Sequence, residues 1–183
     1  PSLRLAASTC DAAQATADGD GTSKTRVDMS ATCIEGNIGR VACAMIGTLM
    51  AANADLKCID LSNTGLGLAI GSEGEGGHIL LRPMCESKTC TLNEINLTNI
   101  QLNDKAGAKL LSSLSSGLGK KTMGYEKITS LHLANNDLGK QTGSMLKEVL
   151  WGDRAPCKLA YLDLRGNVGL DGYDTALAIK RNE

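Results

Sequence analysis

The stretch Ile128-Thr129-Ser130-Leu131-His132-Leu133-Ala134-Asn135-Asn136-Asp137-Leu138 decides the fold. It reads as L-x-x-L-x-L-x-x-N-x-L, with Ile in the first place. Alternation around Leu131 and Leu133 puts both side chains on one face of a short strand. Asn136 falls where the chain turns away from that strand, and its amide can satisfy backbone groups there. Working outward, the pattern returns. Leu159-Ala160-Tyr161-Leu162-Asp163-Leu164-Arg165-Gly166-Asn167-Val168-Gly169-Leu170 repeats it with one extra residue after the Asn. Leu92-Asn93-Glu94-Ile95-Asn96-Leu97-Thr98-Asn99-Ile100-Gln101-Leu102 repeats it with Ile in the Asn place. Leu56-Lys57-Cys58-Ile59-Asp60-Leu61-Ser62-Asn63-Thr64-Gly65-Leu66 has Thr there. A weaker fifth copy runs from Val27 to Ile34, and Leu3-Arg4-Leu5 is the trace of a truncated sixth.

The sixth-place residues Leu5, Met29, Leu61, Leu97, Leu133 and Leu164 are separated by 24, 32, 36, 36 and 31 residues. Between the strand motifs lie stretches with helical spacing. Ile38, Val41, Met45, Ile46 and Leu49 mark one over 38–49. Leu110, Leu111, Leu114 and Leu118 mark another over 104–118, and Met145, Leu146, Val149 and Leu150 a third over 140–150. Asp171 suits the N-cap of a last helix. One such unit cannot bury its own apolar face, but stacked neighbours can. The expectation is an α/β fold: a right-handed βα solenoid with a parallel concave sheet and convex helices, of five clear repeats plus the truncated one. The whole chain, 1–183, reads as one domain. Within it, 1–24 is a weak or truncated first unit, 67–91 a Gly- and Cys-containing insertion, and 171–183 a terminal helix.

Strand plus helix, with Leu131-His132-Leu133-Ala134-Asn135-Asn136-Asp137-Leu138-Gly139 followed by Met145-Leu146, resembles the ribonuclease-inhibitor-like subclass of leucine-rich repeats. The resemblance runs from about Thr25 to the C-terminus. Members of that subclass include ribonuclease inhibitors, activators of Ran-type GTPases and sensor domains of intracellular immune receptors, and what they share is binding another protein. Two features depart from it. Ribonuclease inhibitors are far richer in Cys, and their regular alternation of repeat lengths is absent. Simple leucine-rich repeats run to about 20–29 residues, so several copies here carry insertions.

Composition agrees with a copied motif. The chain has 183 residues, 26 of them Leu and 21 Gly, with no Phe. Apolar residues make up 42%, enough for a core and against wholesale disorder. The net charge of −1 gives no support to nucleic-acid binding by bulk electrostatics. No run of 18 apolar residues exists, so no membrane insertion is expected. Seven cysteines is an odd number in no regular framework. With no secretory signal, the expectation is an intracellular, cytoplasmic setting. No Met opens the chain, so a processed or trimmed start is expected. The sequon Asn96-Leu97-Thr98 falls on a strand face and reads as chance.

The face that would bind follows from strand alternation. The fifth place of each copy gives the column Asp28, Asp60, Asn96, His132, Asp163. The third place gives Arg26, Cys58, Glu94, Ser130, Tyr161. The eighth gives Ala31, Asn63, Asn99, Asn135, Gly166. These residues form the expected concave partner-binding strip, acidic enough to suit a partner presenting basic or amide groups.

Other motifs carry less. The Gly-rich segment 65–77 lacks dinucleotide spacing, since Ile79 stands where a third Gly is needed, and the region around Gly119-Lys120 lacks the rest of a P-loop. Cys85-Glu86-Ser87-Lys88-Thr89-Cys90 has spacing open to half a zinc site, a local disulfide or two loop thiols. His78 and His132 are the two histidines, and no nucleophile is clearly placed beside either. Trp151 reads as packing over a helix end. No metal, no cofactor and no catalysis are expected. The functional expectation is a noncatalytic interaction module binding through its concave face. The alternatives are a scaffold subunit within a large assembly, which the uncapped ends favour, and a regulator of a small GTPase.

Overall fold

The computed structural model describes residues 25–31, 39–71, 76–115, 128–151 and 159–170. Among these residues five strands appear in chain order: β1 (Thr25–Asp28), β2 (Leu56–Asp60), β3 (Glu94–Asn96), β4 (Ser130–His132) and β5 (Tyr161–Asp163). They form one parallel sheet in the order β1-β2-β3-β4-β5. Among the described residues five helices lie between them: α1 (Gly39–Ala52), α2 (Leu66–Gly71), α3 (Gly76–Glu86), α4 (Asp104–Ser115) and α5 (Lys140–Trp151).

The register matches the sequence motif residue for residue. Ile59 pairs with Ile95, Ile95 with Leu131, and Leu131 with Leu162. These side chains, with Leu61, Leu97 and Leu133, enter one core shared with Leu80, Leu110, Leu111, Leu146 and Val149 of the helices. Each such leucine contributes about 1.5–3 kcal/mol by leaving water. Beyond the strands the ladder continues: Leu97 and Asn99 N–H donate to His132 and Ala134 carbonyls, and Leu133 and Asn135 N–H to those of Asp163 and Arg165.

The buried Asn of the motif closes the turn in the last two segments. Asn136 Oδ1 accepts the N–H groups of Ile100 and Leu102, both at 3.1 Å, and its amide donates to the carbonyls of Leu97, Leu133 and Ala134. Asn167 does the same one strand along, accepting from Asn136 and Leu138 and donating to Leu133, Leu164 and Arg165. Where the Asn is replaced, other groups act. Thr64 Oγ1 donates to Leu61 O at 2.7 Å, and Gly67 N–H donates to the Ile100 carbonyl at 2.8 Å. Next to Ile100, Gln101 is held at a φ of +63°.

Two sequence expectations change here. Of the residues read as the inward face of α1, Ile46 is buried, Val41, Met45 and Leu49 are exposed, and Ile38 lies outside the described residues; the inward face is Cys43, Ile46 and Met50, with Gly39 and Gly47. A Cβ on Gly47 would lie 2.6 Å from the Leu80 carbonyl, so α3 approaches on the glycine side and the helix turns accordingly. The segment 67–91, read as an insertion, holds α3 and all of α2 but its first residue, and Leu66, Ile70, Leu80, Leu81 and Met84 of these helices join the core. Apolar spacing in that segment outweighs its glycines. The first turn of α5 is capped from outside its own segment: Asp104 accepts the N–H groups of Gly139, Gln141 and Thr142 at 2.8–3.1 Å. Helices α4 and α5 match their expected starts, and Leu110, Leu111, Leu114, Leu146 and Val149 are buried. Leu3, Leu5, Leu118 and the helix expected after Asp171 lie outside the described residues.

Candidate protein-binding face

The sheet face turned away from the helices carries the predicted strip in the predicted register. Arg26, Cys58, Glu94, Ser130 and Tyr161 follow one another across the strands, as do Asp28, Asp60, Asn96, His132 and Asp163. The third predicted column lies past the strand ends. Ala31, Asn63, Asn99, Asn135 and Gly166 all take left-handed φ values between 52° and 73°. Asn and Gly tolerate that region best, which explains their recurrence there. Asn99 Nδ2 donates to Asn63 Oδ1 at 2.6 Å, linking two of these turns.

The acidic column has a local structural cause. Asp28, Asp60, Asn96 and Asp163 each accept the backbone N–H two residues on, from Ser30, Ser62, Thr98 and Arg165 at 2.8–3.1 Å. This Asx turn bends the chain at the end of every strand but one. The exception is His132, which lacks the carbonyl-type oxygen. Its Nε2 instead faces Ser130 Oγ at 3.2 Å and Glu94 Oε1 at 3.6 Å, and its ring lies 4.9 Å from that of Tyr161.

Two of the carboxylates already have cations. The Arg26 guanidinium and Asn96 Nδ2 both donate to Asp60 Oδ2. Burial alone would raise the Asp60 carboxyl, but the Ser62 hydrogen bonds, Asn96 and Arg26 outweigh it and hold it below the usual carboxylate range. Arg165 grips Asp163 through two nitrogens, at 2.9 and 2.7 Å. That bidentate pair, more than anything else, brings the Asp163 carboxyl down to about 2. The Asp163 side chain is buried, whereas that of its partner Arg165 is 83% exposed. Asp60 and Asp163 are therefore not open acceptors. Asp28 is exposed and Glu94 half-exposed.

Sequence reasoning missed Arg165. Continuing the period-two alternation past the last leucine would have found it, since the seventh place of each copy (Ser30, Ser62, Thr98, Ala134, Arg165) shares this face. Small residues in the middle leave Tyr161, 48% exposed, and Arg165 standing out at the β5 end.

Among the described residues, the groups around His132 do not line up as a nucleophile and base. Ser130 and Glu94 address the same His132 nitrogen, whereas a hydrolytic relay needs them on opposite nitrogens. The Cys58 thiol is pushed up to about 12, by burial first and then by the Glu94 carboxylate, so it stays protonated. Among the described residues no group of three or more His, Cys, Asp or Glu is placed to hold a metal ion. Cys43 and Cys90 are buried, and the side chains of Cys85, His78 and Trp151 lie outside the described residues. Asn96 of the sequon has both ends of its amide engaged. Among the described residues no helix is long and apolar enough to cross a membrane.

No protein-family model matches the chain, and no curated protein matches it. Among solved structures, one described as Leiomodin-1 Actin-Binding Site 2 (ABS2) is similar with a TM-score of 0.52 and 13% identity, over 84% of this chain and 76% of that one. At that identity the likeness concerns the fold, a parallel sheet with helices.

Proposed function

We propose that this chain is a leucine-rich-repeat solenoid of the ribonuclease-inhibitor-like kind and a noncatalytic module that binds another protein across its concave sheet face. One observation carries the reading. Side chains from consecutive in-register strands make a single polar face, and its most exposed members at the β5 end are a Tyr and an Arg. Those residue types dominate binding energy where proteins meet. The internal pairing of Asp60 and Asp163 shifts the expected contact from an acidic strip to the Tyr161, His132 and Arg165 end, with Asn99 and Asn135 on its rim. A structure of similar fold is named for an actin-binding site, so purified actin is the first defined protein to test.

The test is a photo-crosslinking amino acid placed at Tyr161 or, separately, at Lys147 on the exposed side of α5. Adducts from Tyr161 and none from Lys147 support the concave face. The reverse pattern removes it.

A second reading, a scaffold subunit with neighbours at its ends, draws on exposed apolar residues along α1, where Val41 is 58% exposed and Met45 53%. A chain that sediments as a well-folded particle without partners would count against an obligatory neighbour.

A further inference from the structure

We infer that Glu94 is the seat for one basic side chain, an arginine or a lysine, of the protein that binds the sheet face. The inference rests on the concave-face reading above and names the chemistry of its partner. Asp28, Asp60, Glu94 and Asp163 carry the carboxylates of the strands on this face. The fold accounts for three of them. Each Asp accepts the N–H two residues on and so turns the chain at the end of its strand. Asp60 and Asp163 also hold Arg26 and Arg165. Glu94 does neither. It stands two residues before the turn-forming place, and among the described residues no arginine or lysine pairs with it.

The surroundings of Glu94 suit that role. It lies on β3, the middle strand of the five among the described residues. Its register neighbours are Cys58 and Ser130, and the next ones out are Arg26 and Tyr161. Small side chains thus flank the carboxylate, and long ones stand two strands away on either side, roughly 10 Å off at the usual strand spacing. The Glu94 side chain is only 27% exposed, so it has lost part of its water. What it has gained in return is weak: a Cys58 thiol beside it and the His132 ring, whose Nε2 is 3.6 Å away and nearer to Ser130 Oγ at 3.2 Å. A carboxylate in that state gains more from an incoming cation than an open one does, because solvent screens the pair less. With Asp60 and Asp163 matched by arginines, Asp28 and Glu94 leave the carboxylates of the face in excess, the complement of a basic partner. An incoming arginine can also stack on the rings of His132 and Tyr161, whose centres are 4.9 Å apart.

Selection of short random peptides displayed on phage against the full chain tests this. The recovered peptides are expected to share an arginine or a lysine. They should bind Glu94→Gln at least about tenfold more weakly than the wild type. Replacing the shared residue by neutral citrulline or acetyl-lysine should cost as much on the wild type and little on Glu94→Gln, because both changes remove one contact. Glu148→Gln, which removes an exposed carboxylate from α5, should leave binding as it is. Circular dichroism of both variants should match the wild type. A pool with no shared basic residue, failure to recover any peptide, or binding indifferent to Glu94→Gln overturns the inference. Crosslinks from Tyr161 to peptides that lack a basic residue would overturn it and leave the concave-face reading standing. Crosslinks from Lys147 alone would remove both.

Discussion

Asn135 and Asn136 are neighbours of identical chemistry, and the structure predicts very unequal responses to their loss. Asn136 is buried and its side chain makes five hydrogen bonds to backbone groups of two neighbouring segments. In Asn136→Ala the N–H groups of Ile100 and Leu102, both in fully buried residues, lose their acceptor. Each unsatisfied group costs about 1–3 kcal/mol. Two of them give a loss of about 4 kcal/mol, before counting the three carbonyls. Against a total stability of about 5–15 kcal/mol that is a large fraction. Asn135 is exposed at a φ of 54°, so Asn135→Ala should cost only about 1 kcal/mol of backbone strain. Urea unfolding followed by circular dichroism reads the difference. With a slope of about 2 kcal/mol per molar urea, Asn136→Ala should lower the midpoint by about 2 M and Asn135→Ala by about 0.5 M. Equal shifts for the two variants would refute the reasoning, because they would mean that the interior Asn bonds do not hold the turns.

Other outcomes follow from the same geometry. Asp104→Ala should cost about 1–2 kcal/mol by uncapping α5 from its neighbour, measurable in the same urea experiment. Burial would raise the Asp104 carboxyl, but the N–H groups of Thr142, Gln141 and Gly139 lower it below its ordinary value, as Asp60 and Asp163 are also lowered. Depressed carboxyls stabilise fully above their unfolded value of about 3.9 and cease to do so as pH falls through the folded value. Stability should therefore decline below about pH 4, with the Asp163 share going last, near the value of about 2. A urea midpoint unchanged from pH 7 to pH 2.5 would contradict this. Gln101→Gly should raise the melting temperature by about 1–4 °C by relieving the positive φ. Gly67→Ala should cost about 2–3 kcal/mol, since its Cβ would lie 2.5 Å from the backbone at Gln101 and Leu102.

The sequence made the sheet legible because its period of two admits no ambiguity. Once Leu131 and Leu133 face inward, Ser130 and His132 must face outward, and the repeated spacing places Glu94, Asn96, Tyr161 and Asp163 beside them. Helix faces were harder. Helix α1 has two apolar stripes, and spacing alone favoured Val41, Met45 and Leu49 together with Ile46; only Ile46 faces inward, beside Cys43 and Met50, because Gly47, whose missing side chain admits α3, sets the buried side. In 67–91 the run of glycines concealed two helices. At the candidate site the columns were visible but not their internal chemistry. The carboxylates of Asp60 and Asp163 looked open because an Asx turn and an Arg165 bond are properties of the folded turn. His132, which breaks the Asx column, gains its interest only when the other four are seen to share a role.

The measurement that tests the central claim most directly is hydrogen–deuterium exchange of the chain with and without a protein shown to bind it, purified actin being the first to try. Binding across the sheet face predicts added protection over 94–99, 130–135 and 161–166, with the exposed sides of α4 and α5 unchanged. Protection confined to the helices, with those strand ends unaltered, would contradict it.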